Sequence, residues 1–176
     1  LHFVQFWLDE IAAWEKETGK HPLIGLSVTK DVQDEILADA KRSKVVDIID
    51  VRYWHYQSDG TAYEPKGGQN LAPRQHARLL KPKKTSFEQV YRAVKEYKEK
   101  FPNKAVMYSG DSYTEFGMAV LMAGGSLPVL PSEIDKEILK AAVNMKPAAA
   151  NGEYLLTDGK KKIVYNAGTK KIELTN

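Results

Sequence analysis

Cysteine is absent from this 176-residue chain, which excludes a disulfide framework, a thiolate metal site and a cysteine nucleophile. No apolar run approaches the roughly 20 residues that a membrane-spanning helix needs. An excess of one charge is missing too. The 26 Lys and Arg face 23 Asp and Glu, a net charge of +3, so no strong field is expected for nucleic acid or an anionic membrane. The one basic cluster, Lys81–Lys84, reads as a solvated loop ahead of a helix. His2, His21, His55 and His76 show no metal-ligand spacing. Ser109–Tyr113 lacks the G-x-S-x-G turn of a serine hydrolase, and Gly67-Gly68-Gln69-Asn70 lacks the glycine spacing and Lys-Ser/Thr ending of a phosphate loop. No metal and no cofactor are expected.

What is present is a rhythm of short apolar runs and helical stripes. Phe3, Phe6, Trp7, Ile11 and Trp14 recur at spacings of three and four, predicting an amphipathic helix closed at Gly19 with both tryptophans packed in the core. Leu23–Val28, Val45–Tyr53 and Ala105–Tyr108 read as strands. Between them lie a helix opening at Thr29 or Asp31, which breaks at Lys44, and a second opening at the N-cap Ser86. Ser112 or Thr114 caps the next helix, which runs to Gly124-Gly125, and a last apolar run follows. Strands alternating with helices imply a parallel sheet, whose chemistry sits at the strand C-termini. A short helix over Ile134–Asn144 precedes Lys146–Ala150, which reads as a linker. After Asn151 the pattern alternates at period two, with turns at Asp158-Gly159 and Ala167-Gly168. This predicts a small antiparallel meander of about three strands.

Candidate chemistry falls at two strand ends. Arg52, Trp54, His55 and Tyr56 combine a cation, rings and an imidazole. Rings can stack on sugar faces, while Arg and His hydrogen-bond hydroxyls; packing of these rings at the top of the sheet is the competing explanation. The long polar loop that follows adds Gln69, Asn70 and Arg74 as donors, where plain turn chemistry explains the glycines equally well. At the other strand end, Asp111 and Glu115 are the candidate pair of carboxyl groups, with Tyr113 beside them. A glycosidase needs two such groups, about 5–5.5 Å apart for retention and further for inversion. A helix cap for Asp111 and a solvated first-turn acid for Glu115 remain open alternatives.

Several stretches carry a resemblance. His2–Ser27 resembles a helix and strand that follow the acid/base strand of a glycoside-hydrolase-type (β/α)8 barrel. Val45–Tyr56 resembles a sixth strand ending in aromatics, and Phe101–Tyr113 the seventh. Glu115–Pro131 is similar to the last helix and closing strand, with a small Ala-Gly-Gly step. The chain therefore resembles the C-terminal half of such a barrel, about four β/α units over residues 1–146, with the start of a trailing β-domain over 147–176. It is similar to uncharacterised glycoside hydrolases of bacterial polysaccharide-degrading systems.

That resemblance implies hydrolysis of a poly- or oligosaccharide in the periplasm or outside the cell. It also implies an acid/base upstream of Leu1, supplied by an N-terminal half; that half or a second copy would complete the barrel. The seventh strand departs from the family pattern by ending in Ser109-Gly110-Asp111 where a nucleophile Glu is usual. A carbohydrate-binding barrel remnant without activity is the alternative, and a flavodoxin-like α/β interaction domain is a further one.

Overall fold

The computed structural model describes residues 1–57, 59–63, 85–110, 112–148 and 153–176. Gln69, Asn70, Arg74, Asp111 and the Ala149–Ala150 end of the expected linker lie outside the described residues. The remainder is a mixed α/β structure with a three-stranded parallel sheet and a separate four-stranded antiparallel sheet.

The parallel part opens with α1 (His2–Thr18), closed by Gly19 at φ 68°, a left-handed conformation that glycine adopts without a steric penalty. Then follow β1 (Gly25–Leu26), α2 (Lys30–Ala38), α3 (Ala40–Val45) and β2 (Ile48–Val51). The helical pattern after Thr29 breaks at Asp39, earlier than Lys44. Asp39 is extended, and its carboxylate accepts from the amides of Lys41 and Arg42, restarting the chain as α3. Because α3 takes residues up to Val45, β2 is shorter than the Val45–Tyr53 run that the apolar pattern marks out. A two-stranded hairpin, β3 (His55–Tyr56) and β4 (Ala62–Tyr63), branches off after β2. Next come α4 (Phe87–Lys100), whose Ser86 N-cap forms a full capping box with Gln89, and β5 (Ala105–Tyr108).

Strand order is β1-β2-β5, all parallel, with Gly25 opposite Ile48 and Ile48 opposite Ala105. Ile49, Val51 and Val106 are fully buried on one face against Ile36 and Leu37 of α2 and Val90, Val94 and Tyr97 of α4. Alternation sends Gly25, Ile48, Asp50, Ala105 and Met107 to the other face, where Gly25 is exposed and Ile48, Ala105 and Met107 are half-buried. Parallel sheets are ordinarily covered on both faces; among the described residues no helix packs on this second face as α2 and α4 do on the first.

α1 differs from expectation. Val4, Leu8, Ile11 and Ala12 pack on the core, and Arg42 ties the helix to α3 by bridging Asp9 at 2.8 Å and Asp39 at 3.1 Å. Phe3, Phe6, Trp7 and Trp14, however, face outward, with Trp7 51% and Trp14 42% exposed. The helix has two apolar stripes, and only the aliphatic one is buried.

α5 (Gly117–Met122) starts without a side-chain cap, so neither Ser112 nor Thr114 serves that role. A Cβ on Gly117 would stand 1.6 Å from the Val129 carbonyl oxygen, so only glycine lets the chain return that closely over the helix. Residues 127–131, expected as a closing strand, form none, so the described residues supply three parallel strands and no closed barrel. α6 (Lys136–Ala142) leads to β6 (Lys146–Ala148), β7 (Tyr154–Thr157), β8 (Lys162–Asn166) and β9 (Lys171–Thr175). The expected linker is thus in part a strand: Lys146–Ala148 pairs antiparallel with Leu155–Thr157 and makes the sheet four-stranded.

This second sheet shares a core with the helices. Leu156, Ile163 and Tyr165 pack on Met118, Leu121 and Met122 of α5 and Ile138 of α6. Phe87 and Tyr91 of α4 meet Tyr154 with ring centroids 4.6 and 4.7 Å away.

Candidate functional site at the strand C-termini

Chain direction brings Ser27, Asp50 and Ser109 together at the C-terminal end of the parallel sheet. Ser27 follows β1, Asp50 is the penultimate residue of β2, and Ser109 follows β5. Ser109 is held in line by its amide, which donates to the Val51 carbonyl at 3.2 Å. The Ser27 hydroxyl donates to Asp50 Oδ2 at 2.9 Å. The Ser109 hydroxyl lies 2.7 and 2.8 Å from the two Asp50 oxygens. Asp50 is 9% exposed. A carboxylate offers about four lone-pair sites, so the two hydroxyl donors leave it with acceptor capacity.

The residues that follow the ends of β2 and β5 are polar and aromatic. Arg52 is exposed, with its guanidinium 5.4 Å from the Tyr53 ring centroid. Tyr53 and Tyr113 are 40% and 47% exposed. Glu115 is exposed too, its amide bonded to the Ser112 carbonyl at 2.9 Å. Ser112 itself stands at φ 56°, the left-handed region that is uncommon for a side-chain-bearing residue and is enriched where a loop is shaped for function. A Cβ on Gly110 would meet the Tyr108 ring at 2.8 Å, so the loop crosses that ring only as glycine.

Trp54, His55 and Tyr56, the aromatic cluster expected to face a sugar, are turned into the fold at 1%, 5% and 7% exposure. The Trp54 indole N–H donates to Gln33 at 2.9 Å. The Tyr56 hydroxyl donates to Glu96, and Arg92 lies 4.1 Å from the Tyr56 ring centroid. Burial, then the Glu96 carboxylate, push the Tyr56 hydroxyl well above its ordinary pKa. Lys30 fills the gap between the rings, 5.1 Å from Trp54 and 5.2 Å from Tyr97, with its ammonium on Asp34 and Glu96. The cluster therefore cements β3 to α2 and α4. Of the sequence-derived candidates, Arg52, Tyr113 and Glu115 follow the ends of β2 and β5 in positions open to solvent.

Sequence reasoning passed over Asp50 and its two serines. The available signal was two acids, Asp47 and Asp50, in the otherwise apolar run Val45–Val51, of which Asp50 falls inside the strand, a residue type that strand interiors exclude unless it has partners.

Elsewhere, a cleft of about 960 Å³ runs along Lys98, Gly125, Leu130, Leu139, Val143 and Pro147, at the seam with the antiparallel sheet. Its walls are mainly apolar, and it lies outside the strand-end rim. Among the described residues no group of three or more His, Asp or Glu could hold a metal ion, and no helix is long and apolar enough to cross a membrane.

Fold and rim together define a β/α protein with a hydroxyl-bound carboxylate at the C-terminal end of its parallel sheet. A family model described as Domain of unknown function (DUF6298) matches residues 1–145, and the chain belongs to that family. No curated protein and no solved structure matches it. The family match ends one residue before β6 begins.

Proposed function

We propose that the chain is part of a carbohydrate-hydrolysing (β/α) barrel, with Asp50 as the central carboxylate of the sugar site. The observation carrying this reading is the position of Asp50: a nearly buried carboxylate at a parallel-strand C-terminus, held by two hydroxyls and facing the side that the helices leave open. In β/α barrels that end of the sheet is where catalytic residues collect. Tyr53 and Tyr113 supply stacking surfaces, and Arg52 reads hydroxyl or carboxylate groups. Glu115, or Asp111 in the same loop, is the second carboxyl group that glycosidic cleavage requires. A further β/α segment, from the same protein or a second copy, covers the open face and brings the acid/base. A polysaccharide substrate is consistent with a periplasmic or extracellular protein.

The test is Asp50→Asn in the intact protein, assayed for reducing-end release from a panel of plant and host polysaccharides. A loss of about 100-fold or more, with an unchanged circular dichroism spectrum, is the expected result. Full activity in that variant overturns the assignment. A non-catalytic sugar-binding role is favoured by one observation, the occupation of both Asp50 oxygens by serine hydroxyls. It predicts that wild-type protein binds oligosaccharides without releasing reducing ends.

A further inference from the structure

Gln33 is completely buried on α2, behind the strand ends. Its side-chain amide has partners at both ends: Nε2 donates to the carbonyls of Leu26 at 3.2 Å and Asp50 at 3.3 Å, while Oε1 accepts from the Trp54 indole at 2.9 Å. The orientation is fixed by chemistry, since two carbonyls demand the NH2 end and an indole N–H demands the oxygen. Leu26 precedes Ser27, and Asp50 is the carboxylate that Ser27 binds. One amide group thus grips both strands at the level of the proposed site. Its own anchor, Trp54, is immobilised by edge contacts with Tyr56 and Tyr97 at 5.5 and 5.7 Å and by the Lys30 ammonium over its ring.

A methionine or leucine of similar volume would fill this position without the cost of burying an amide. A buried polar network whose members are all satisfied gives geometric definition instead. From these observations we infer that Gln33 and Trp54 form a clamp that sets the spacing between Ser27 and Asp50. Gln33 is then a positioning residue for the Asp50 carboxylate, and Trp54 acts on the site through Gln33 without touching substrate. The inference rests on the reading of Asp50 as the site carboxylate, but its geometry is testable without any substrate.

The measurement is the carboxyl 13C resonance of Asp50 in the intact protein, which reports the hydrogen bonds that the carboxylate accepts. Asp47, immediately before the opposite end of that strand, is the internal reference. Ser27→Ala sets the scale by deleting one hydroxyl donor outright. Gln33→Met, which keeps length and bulk, is expected to displace the Asp50 resonance by at least half of that scale and leave Asp47 unmoved. Trp54→Phe, which removes only the indole donor, is expected to give a smaller displacement in the same direction. An unmoved Asp50 resonance in Gln33→Met overturns the clamp, as does equal movement of Asp47, which would mean general loosening. If Gln33→Met does not fold, Trp54→Phe decides by the same two criteria. A displaced Asp50 resonance together with full hydrolysis by Asp50→Asn supports the clamp and sinks the catalytic reading. The reverse pair of results sinks the clamp alone.

Discussion

The two ends of the parallel sheet handle an aspartate in opposite ways. At the N-terminal end, Asp47 accepts from the Ile24 amide at 2.8 Å and from His21 at 3.0 Å, and His21 reaches on to Glu15 of α1 at 2.7 Å. Beside it, the Lys104 ammonium donates to the Ser43 and Val46 carbonyls. Charged side chains at this end are spent on backbone groups and on one another. At the C-terminal end, Asp50 has two neutral hydroxyls, and Arg52, Tyr53, Tyr113 and Glu115, which follow the ends of β2 and β5, stay in solvent. A fold that needed only stability would satisfy both acids alike. On the proposed reading, the difference separates a structural end from the end where β/α architecture places chemistry.

Paired substitutions sharpen or break that contrast. The largest effect is expected from neutralising the two aspartates separately. Asp50→Asn should remove activity by at least about 100-fold while the thermal midpoint moves little. Asp47→Ala should do the reverse, costing about 2 kcal/mol of stability for the lost charge-assisted bond to the Ile24 amide, with sugar handling intact. Matching profiles for the two variants in denaturant titration and activity assays would erase the distinction.

Next in size is Tyr113→Ala, which should weaken oligosaccharide affinity by about 1 kcal/mol, roughly fivefold, through lost stacking. Calorimetric titration reads this directly, and an identical isotherm removes Tyr113 from the rim's function.

The smallest effect concerns pH. The Asp47 and then the Glu15 carboxylates raise the His21 pKa above its ordinary 6.5. Burial alone would raise the Asp47 carboxyl, but the Ile24 amide and His21 outweigh it and hold it below its ordinary 3.8. His21 therefore stabilises fully below pH 6.5, and that contribution is lost as pH rises through its raised folded value. The Asp47 contribution is present above pH 3.8 and is lost as pH falls through its depressed value. Thermal midpoints should decline slightly above neutrality in the wild type and not in His21→Gln. Equal slopes would show that this end does not depend on the imidazole.

How much of this was legible in the sequence depended on how local the cause was. The start of α4 was readable because Ser86 and Gln89 satisfy each other within a single turn, and β5 because its apolar run is bounded by a Pro-Asn turn and a polar loop. The antiparallel hairpins were readable from Asp158-Gly159 and the turn after Asn166. Lys146–Ala148 was missed because its strand character comes from pairing with Leu155–Thr157, which no local composition reveals. Trp7 and Trp14 misled because helical periodicity shows that a face is apolar, not that something lies against it.

The site was harder for the same reason. Aromatic density drew attention to Trp54 and Tyr56, whose partners on α2 and α4 bury them. The functional candidate was a single acid in a strand, whose serine partners lie 23 and 59 positions away in the chain.

The shared packing of Met118, Met122, Leu156 and Ile163 ties the two parts of the chain together. A recombination break between 145 and 146 would separate the family region from β6 at a point where one hydrophobic layer is common to both sides. Either product would carry a sticky, water-facing flank. Within this chain, the trailing sheet and the helices beneath it therefore depend on each other to keep that layer dry.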